Sequence, residues 1–268
     1  MKRDAHVHSP YCPHGTKDSL NAYVEKAISA GFTDISFTEH APLPPSFEDT
    51  TPDKDSGMDQ PTLSAYLEAV NEIKQHYRKD IIIRTGLEVD FIEGYENETR
   101  TFLDEVGPLL DDSILSVHFL KLDKKYHCID FSKEVFMEAA RIAGSTAQLY
   151  ERYYDAVEAS VLADLGSHKP ARIGHPTLIH KFQLDHAELI DDREMIEKLF
   201  RKISEGGLEI DLNSAGLSKP GCRESYPPQT YLPYAKELGI PLVFGSDAHN
   251  VEGLHKHHEK FYNNSTRQ

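Results

Sequence analysis

The sequence predicts an α/β fold built on a parallel sheet, and three observations carry that prediction. Seven apolar, β-rich runs recur along the 268 residues. Amphipathic helical patterns separate them, so the repeating unit is strand then helix, which sets the strands side by side in parallel. No Gly/Ser linker, internal repeat or low-complexity tract divides the chain, and its length suits one large domain with a substantial core, so residues 1–268 are read as a single domain.

The first strand is "DAHVH" (4–8). The helix predicted over 18–30 rests on Leu20, Tyr23, Val24, Ala27 and Ile28 at helical spacing, with Gly31 placed as its stop. "DISFTEH" (34–40) is the second strand. The loop that follows, 41–61, carries five prolines, several acids and no periodicity, which reads as a surface excursion able to cover a substrate at a barrel mouth. A helix over 61–78 leads to the third strand, "DIIIRTGLEVD" (80–90), and a helix over 96–106 to the fourth, "SILSVHF" (113–119). In 120–131 the "DKK" reads as the turn of a short hairpin over the mouth. One long helix is predicted over 133–164, then strand "ARIGH" (171–175), helix 193–205, strand "GLEIDLN" (207–213), helix 228–238 and strand "PLVFGSD" (241–247). Periodicity alone does not choose between a barrel and an open doubly wound sheet.

Composition narrows the function classes. Lys plus Arg number 29 against 44 Asp plus Glu, a formal net charge of −15, which opposes the phosphate contacts on which nucleic-acid affinity depends and leaves room for a small anion. No apolar run approaches the ~20 residues of a membrane span, and no apolar stretch follows the basic N-terminus as in a secretory signal, so the expected location is the cytoplasm. Three cysteines, Cys12, Cys128 and Cys222, are widely spaced and odd in number, which argues for reduced thiols and against a disulfide framework or thiolate zinc site. Cys12 is read as packing.

The chemistry lies at the strand ends. His6 and His8, His40, Glu88, His118, His175, and Asp247 with His249 stand at or just beyond the C-terminal ends of six of the seven strands, and His14 follows in a Pro-punctuated loop able to fold back. His6 and His8 lie two apart on a strand and share a face; Asp247 and His249 repeat that spacing. In an α/β barrel these ends converge on one face. Neutral imidazoles with carboxylates are a ligand set for zinc, iron or manganese, and a core would not collect so many titratable groups without a cation to pair them.

The motifs "DAHVHSPYCPHG", "FTEHAP", "TGLEVDF", "LSVHF", "IGHPTL" and "FGSDAHN" resemble those of the PHP (polymerase and histidinol phosphatase) family, in order from residue 4 to 250, and "HSPYCPHG" points to its histidinol-phosphate phosphatase branch. The resemblance implies a distorted (β/α)7 TIM-like barrel holding two or three divalent ions. It implies that His6, His8, Glu88 and Asp247 bind one ion, that Glu88 bridges to a second held by His118 and His175, and that His14, His40 and His249 hold a third. The implied reaction is hydrolysis of L-histidinol phosphate to L-histidinol and phosphate in histidine biosynthesis, with a PHP nuclease or other phosphoesterase as the alternative. Asp247, Glu88 and His249 are the catalytic candidates; Asp247 is a candidate to take the proton of the attacking water, and sequence fixes neither the acid nor the base. No short motif marks the phosphate clamp: Arg172, on the fifth strand, and Arg223, in the loop after the sixth, are candidates, and His127 and Asp130 in 120–131 are candidate substrate contacts. Metal identity and oligomeric state stay open.

Overall fold

A computed structural model describes residues 2–262. Its order is β1 (Arg3–Val7), α1 (Leu20–Ser29), β2 (Asp34–His40), α2 (Gln60–His76), β3 (Ile82–Asp90), α3 (Glu96–Val106), β4 (Asp112–Ser116), β5 (Phe119–Leu122) and β6 (Lys125–Cys128). There follow α4 (Lys133–Ala143), α5 (Thr146–Leu162), β7 (Arg172–Ile173), α6 (Arg193–Glu205), β8 (Glu209–Asn213), α7 (Leu232–Glu237), β9 (Leu242–Gly245) and α8 (His258–Tyr262).

Local chemistry accounts for the helix ends. The Ser19 hydroxyl accepts from the Ala22 N–H at the start of α1, and Asp59 caps α2 through Thr62. The long helix expected over 133–164 is two helices. Gly144, at φ +106°, ends α4 in the left-handed conformation, and Ser145 caps α5 through the Gln148 N–H, so a glycine stop and a serine start meet in adjacent residues.

The seven parallel strands run in the order β1-β2-β3-β4-β7-β8-β9, without the reversal of strand order that a doubly wound sheet requires. The two edges meet beyond β9: the Asp247 N–H donates to His6 O at 2.8 Å and the His8 N–H to Ala248 O at 3.0 Å. Lower on this seam the Asp4 carboxylate takes the place of ladder bonds, accepting from the Ser246 N–H at 2.9 Å and facing His255 Nδ1 at 2.8 Å. The outcome is a nearly closed (β/α)7 barrel. Between β4 and β7 the register holds for only two pairs, Ile114 with Arg172 and Leu115 with Ile173.

The apolar core lies between strands and helices. Val7, Ile35, Phe37 and Ile83 of the strands pack with Tyr23, Val24, Leu63 and Tyr66 of the helices, all buried. The Tyr66 hydroxyl donates to Phe37 O (2.8 Å) or Gly86 O (2.7 Å), which ties α2 to two strands. The barrel interior is polar. At its floor Arg172 and Arg3 share Asp112, at 2.9 and 2.6 Å, and Arg84 grips Asp34. Charges this deep are tolerated because each carboxylate is paired.

The predicted hairpin forms as β5 and β6, joined through Asp123 at φ +56°. It does not stand alone: Phe119 and Cys128 pack with Phe47 of the 41–61 loop and Ile92, and Leu43, Tyr95 and Tyr126 cover the cluster. Loop and hairpin form one wall beside the strand ends. All three cysteines are buried free thiols. Among the described residues no helix is long and apolar enough to cross a membrane.

Candidate metal centre and active site

Glu88 stands at the middle of the C-terminal face, with its side chain 1% exposed. Its Oε1 faces His175 Nε2 at 2.9 Å and His118 Nε2 at 3.7 Å; its Oε2 faces His6 Nε2 at 3.4 Å, His8 Nε2 at 3.6 Å and His40 Nδ1 at 3.2 Å. Asp247 Oδ1 completes the second group, 3.6 Å from His6 Nε2 and 3.2 Å from His8 Nε2. Further out, His14 Nε2 and His249 Nε2 are 3.2 Å apart, and a loop carbonyl, Asp55 O, holds His14 Nδ1 at 2.9 Å. All nine ligand-type residues singled out from the sequence thus come together at one mouth.

Carboxylates behind the imidazoles aim them. His6 Nδ1 donates to Asp211 at 2.8 Å, His8 Nδ1 to Glu39 at 3.1 Å and His118 Nδ1 to Asp90 at 2.7 Å, so each ring presents Nε2 to the centre. Asn213 donates to both Asp211 and Asp247 at 3.1 Å. Sequence reasoning missed Glu39, Asp90, Asp211 and Asn213. A signal was present: Glu39 adjoins His40, Asp90 lies two residues after Glu88, and Asp211 with Asn213 sits on the one strand to which no ligand had been given. The backbone takes positive φ at two of the ligands, His175 at +22° and Asp247 at +54°, a region non-glycine residues adopt uncommonly.

The donor set fits metal ions. Separations of 3.2–3.6 Å around Glu88 Oε2 and Asp247 Oδ1 are close to the edge, about 3.4 Å, of a tetrahedron of ~2.1 Å metal–ligand bonds. His6 Nε2 and both nitrogens of His40 are buried without a hydrogen-bond partner among the described residues, a cost that a cation in their midst removes. Ligand atoms of Glu88, His118 and His175 lie within 4.8 Å of one another, as do those of His6, His8 and Asp247, and those of His8, Cys12, His40 and His249.

Protonation follows. Burial opposes ionisation of Glu88, but the charge of His6 beside it holds it well below the usual carboxylate range. Burial and the nearby His8 charge push His249 down to about 3, and the same two causes hold His40 well below its ordinary value. Ionised carboxylate and neutral imidazole are the forms that coordinate. Burial also opposes protonation of His8, yet Asp247 and Glu39 lift it to about 9; the proton there meets a demand for positive charge that a divalent ion would also meet.

A cavity of ≈ 610 Å³ opens over this cluster, reached by Asp53 and Asp55 of the loop, Asp130 and Lys181. Asp130, one of the expected substrate contacts, lines it. Arg172 does not: it is 1% exposed and engaged at the barrel floor by Asp112 and Ala5 O, because its side chain points into the barrel from the first residue of β7. Arg223 is exposed at φ +64° and is not among the residues lining the cavity, so the structure brings neither arginine candidate to it. His127 lines a neighbouring groove with Glu134 and Glu138, on the far side of Cys128 and Phe131. The cations that line the cavity are lysines, the half-buried Lys181 and the exposed Lys219 and Lys256, none of them marked by a strand pattern.

Fold and site together define a (β/α)7 barrel protein with a histidine–carboxylate metal centre at its mouth. A model of the PHP domain family matches residues 4–215. A histidinol-phosphatase of Bacillus subtilis (strain 168) is 46% identical over 263 residues, 97% of this chain and 98% of its own. A solved Listeria monocytogenes protein with a provisional histidinol phosphatase designation is 41% identical, covers 97% of this chain and 100% of its own, and superposes with a TM-score of 0.91. The Lactococcus lactis histidinol phosphate phosphatase, solved with zinc, L-histidinol and phosphate, shares the fold at 20% identity and a TM-score of 0.68, covering 96% of this chain and 91% of its own. The chain belongs to the PHP domain family, in its histidinol-phosphatase branch.

Proposed function

We propose that this protein hydrolyses L-histidinol phosphate to L-histidinol and inorganic phosphate in cytoplasmic histidine biosynthesis. The observation that carries the reading is the bridging carboxylate, Glu88, with one oxygen turned to each of two ligand groups beneath an open cavity. The activity named for the Bacillus subtilis relative, which matches the chain along its whole length, supports the substrate.

In this reading two or three divalent ions, zinc, iron or manganese, are held as follows: the first by His6, His8, Glu88 and Asp247, the second by Glu88, His118 and His175, the third by His14, His40 and His249. Bound there, such ions supply an activated water nucleophile at neutral pH and neutralise the transferring oxygens. The chain's own residues do the rest. Glu88, sealed at 1% exposure, sets spacing and charge. Asp247 is 18% exposed and oriented by Asn213, which makes it the ligand able to accept a proton from an incoming water. His249, 29% exposed and neutral, lines the cavity beside Asp247. The acidic loop residues Asp53 and Asp55 disfavour a polyanion at the mouth.

The test is phosphate release from L-histidinol phosphate, small phosphomonoesters and oligonucleotides, with metal content measured on the same preparation. A preference for L-histidinol phosphate of at least ~10²-fold in kcat/KM is expected. Faster turnover of oligonucleotides or of an unrelated ester overturns the assignment and makes this a phosphoesterase of another kind.

A further inference from the structure

Lys181 and Asp130 form an ion pair of 2.9 Å at the wall of the catalytic cavity, their side chains 21% and 19% exposed. They come from different loops: Lys181 follows β7 and its ligand His175, and Asp130 follows the β5–β6 hairpin. The other cavity lysines, Lys219 and Lys256, are exposed. The pair is not tied off elsewhere. Asp130 has one further contact, the Cys128 thiol at 3.3 Å, and the Lys181 ammonium otherwise lies 6.0 Å from the Phe182 ring. A half-buried lysine beside a phosphate site has a better partner in a phosphate dianion than in one carboxylate oxygen. If it turns to that phosphate, Asp130 loses its hydrogen-bonded cation and keeps only the more distant charge of His118, whose own hydrogen bond goes to Asp90, and the cost opposes binding.

The cost vanishes when the ligand brings its own cation. We propose that the Lys181–Asp130 pair is a charge-exchange lock, which opens to monoesters carrying both a phosphate and an ammonium group: Lys181 passes to the phosphate, and Asp130 to the ammonium. A plain phosphomonoester satisfies Lys181 and strands Asp130; an amine without phosphate does the reverse. Selectivity then comes from the penalty left on the wrong ligand as much as from contacts to the right one. The inference rests on the phosphomonoesterase reading of the site and adds how its substrate is told from others.

The experiment compares L-histidinol phosphate with its des-amino counterpart, identical but for the ammonium, and ethanolamine phosphate with ethyl phosphate, on the metal-loaded full chain. Asp130→Asn, Lys181→Met and the double variant are assayed, with metal content and Tm followed on each. In the parent protein the ammonium should favour turnover by at least ~30-fold in kcat/KM within each pair. Asp130→Asn should cut that ratio by at least ~10-fold and raise kcat/KM for the des-amino ester, because Lys181 is freed. Lys181→Met should lower kcat/KM for both esters, and the two substitutions should be non-additive. Equal losses on both members of a pair in Asp130→Asn, or an ammonium preference that survives it, would overturn the lock. If L-histidinol phosphate is not turned over at all, the function reading fails, while the ethanolamine and ethyl phosphate pair still decides the lock.

Discussion

Glu88 and Asp247 differ from the histidines around them in bringing anionic charge to the centre, whereas the carboxylates of Glu39, Asp90 and Asp211 are turned to the far sides of the imidazoles. Glu88→Gln and Asp247→Asn are expected to lower kcat by ~10³-fold or more, whereas His14→Ala, at a 37% exposed ligand of the outermost group, should cost ~10–10²-fold. Steady-state kinetics with metal content on each variant checks this, and equal or reversed losses would contradict it. A second titratable site lies apart from the centre: His180 is buried between Asp192 and Glu224, with the Tyr154 hydroxyl on Asp192. Burial lowers its affinity for a proton, but hydrogen bonds to Asp192 and Glu224 prevail and raise it to about 9. Its folded pKa therefore exceeds the unfolded value of about 6.5. The stability it contributes is full below pH ~6.5 and is lost as pH rises through about 9. Tm should fall between pH 7 and 9.5, and His180→Gln should flatten that fall; parallel slopes for the two proteins would exclude the assignment.

At the scale of elements, the β5–β6 hairpin and the 41–61 loop meet through Phe47, which touches Phe119, Tyr95 and Tyr126 with ring centroids 5.0–5.3 Å apart. Because one wall is shared, shortening 120–131 should disturb the loop as well. Substrate contact through this wall, including Asp130, would be lost while the strand-borne ligands stay in place. The expected result is a KM for L-histidinol phosphate raised by ~10-fold or more, with kcat for a generic aryl phosphate changed by less than ~3-fold. Loss of turnover on both substrates would mean that the hairpin supports the metal ligands instead.

For the whole molecule, the centre joins the two ends of the chain: His6 and His8 come from β1, Asp247 and His249 from the segment closing the barrel behind β9. Ions bound to folded protein alone stabilise it by about 4 kcal/mol per site at 1,000-fold excess over Kd. For a domain of this size that is on the order of 10 °C in Tm. Chelation should thus abolish phosphate release and lower Tm together, and restoring metal should recover both. Unchanged Tm on complete removal of metal would show that the cluster is held by the fold without help from ions.

What the sequence by itself determined is what repeats locally: seven strands, most helices and all nine ligand-type residues, because strand ends and caps leave period and spacing in neighbouring positions. The Gly144–Ser145 break is equally local, but it lies inside a longer helical pattern that masks it. Tertiary structure alone decided three things. Closure into a barrel depends on bonds between residues more than 200 positions apart, such as Asp247 N–H to His6 O, so no window of sequence distinguishes it from an open sheet. The carboxylates behind the imidazoles, above all Asp211, acquire their role from facing a histidine on another strand. The direction of a side chain within the barrel sends Arg172 to the floor, while Lys181, in an irregular turn after His175, reaches the cavity; the charge of a residue is written in the sequence, and its partner is chosen by the fold.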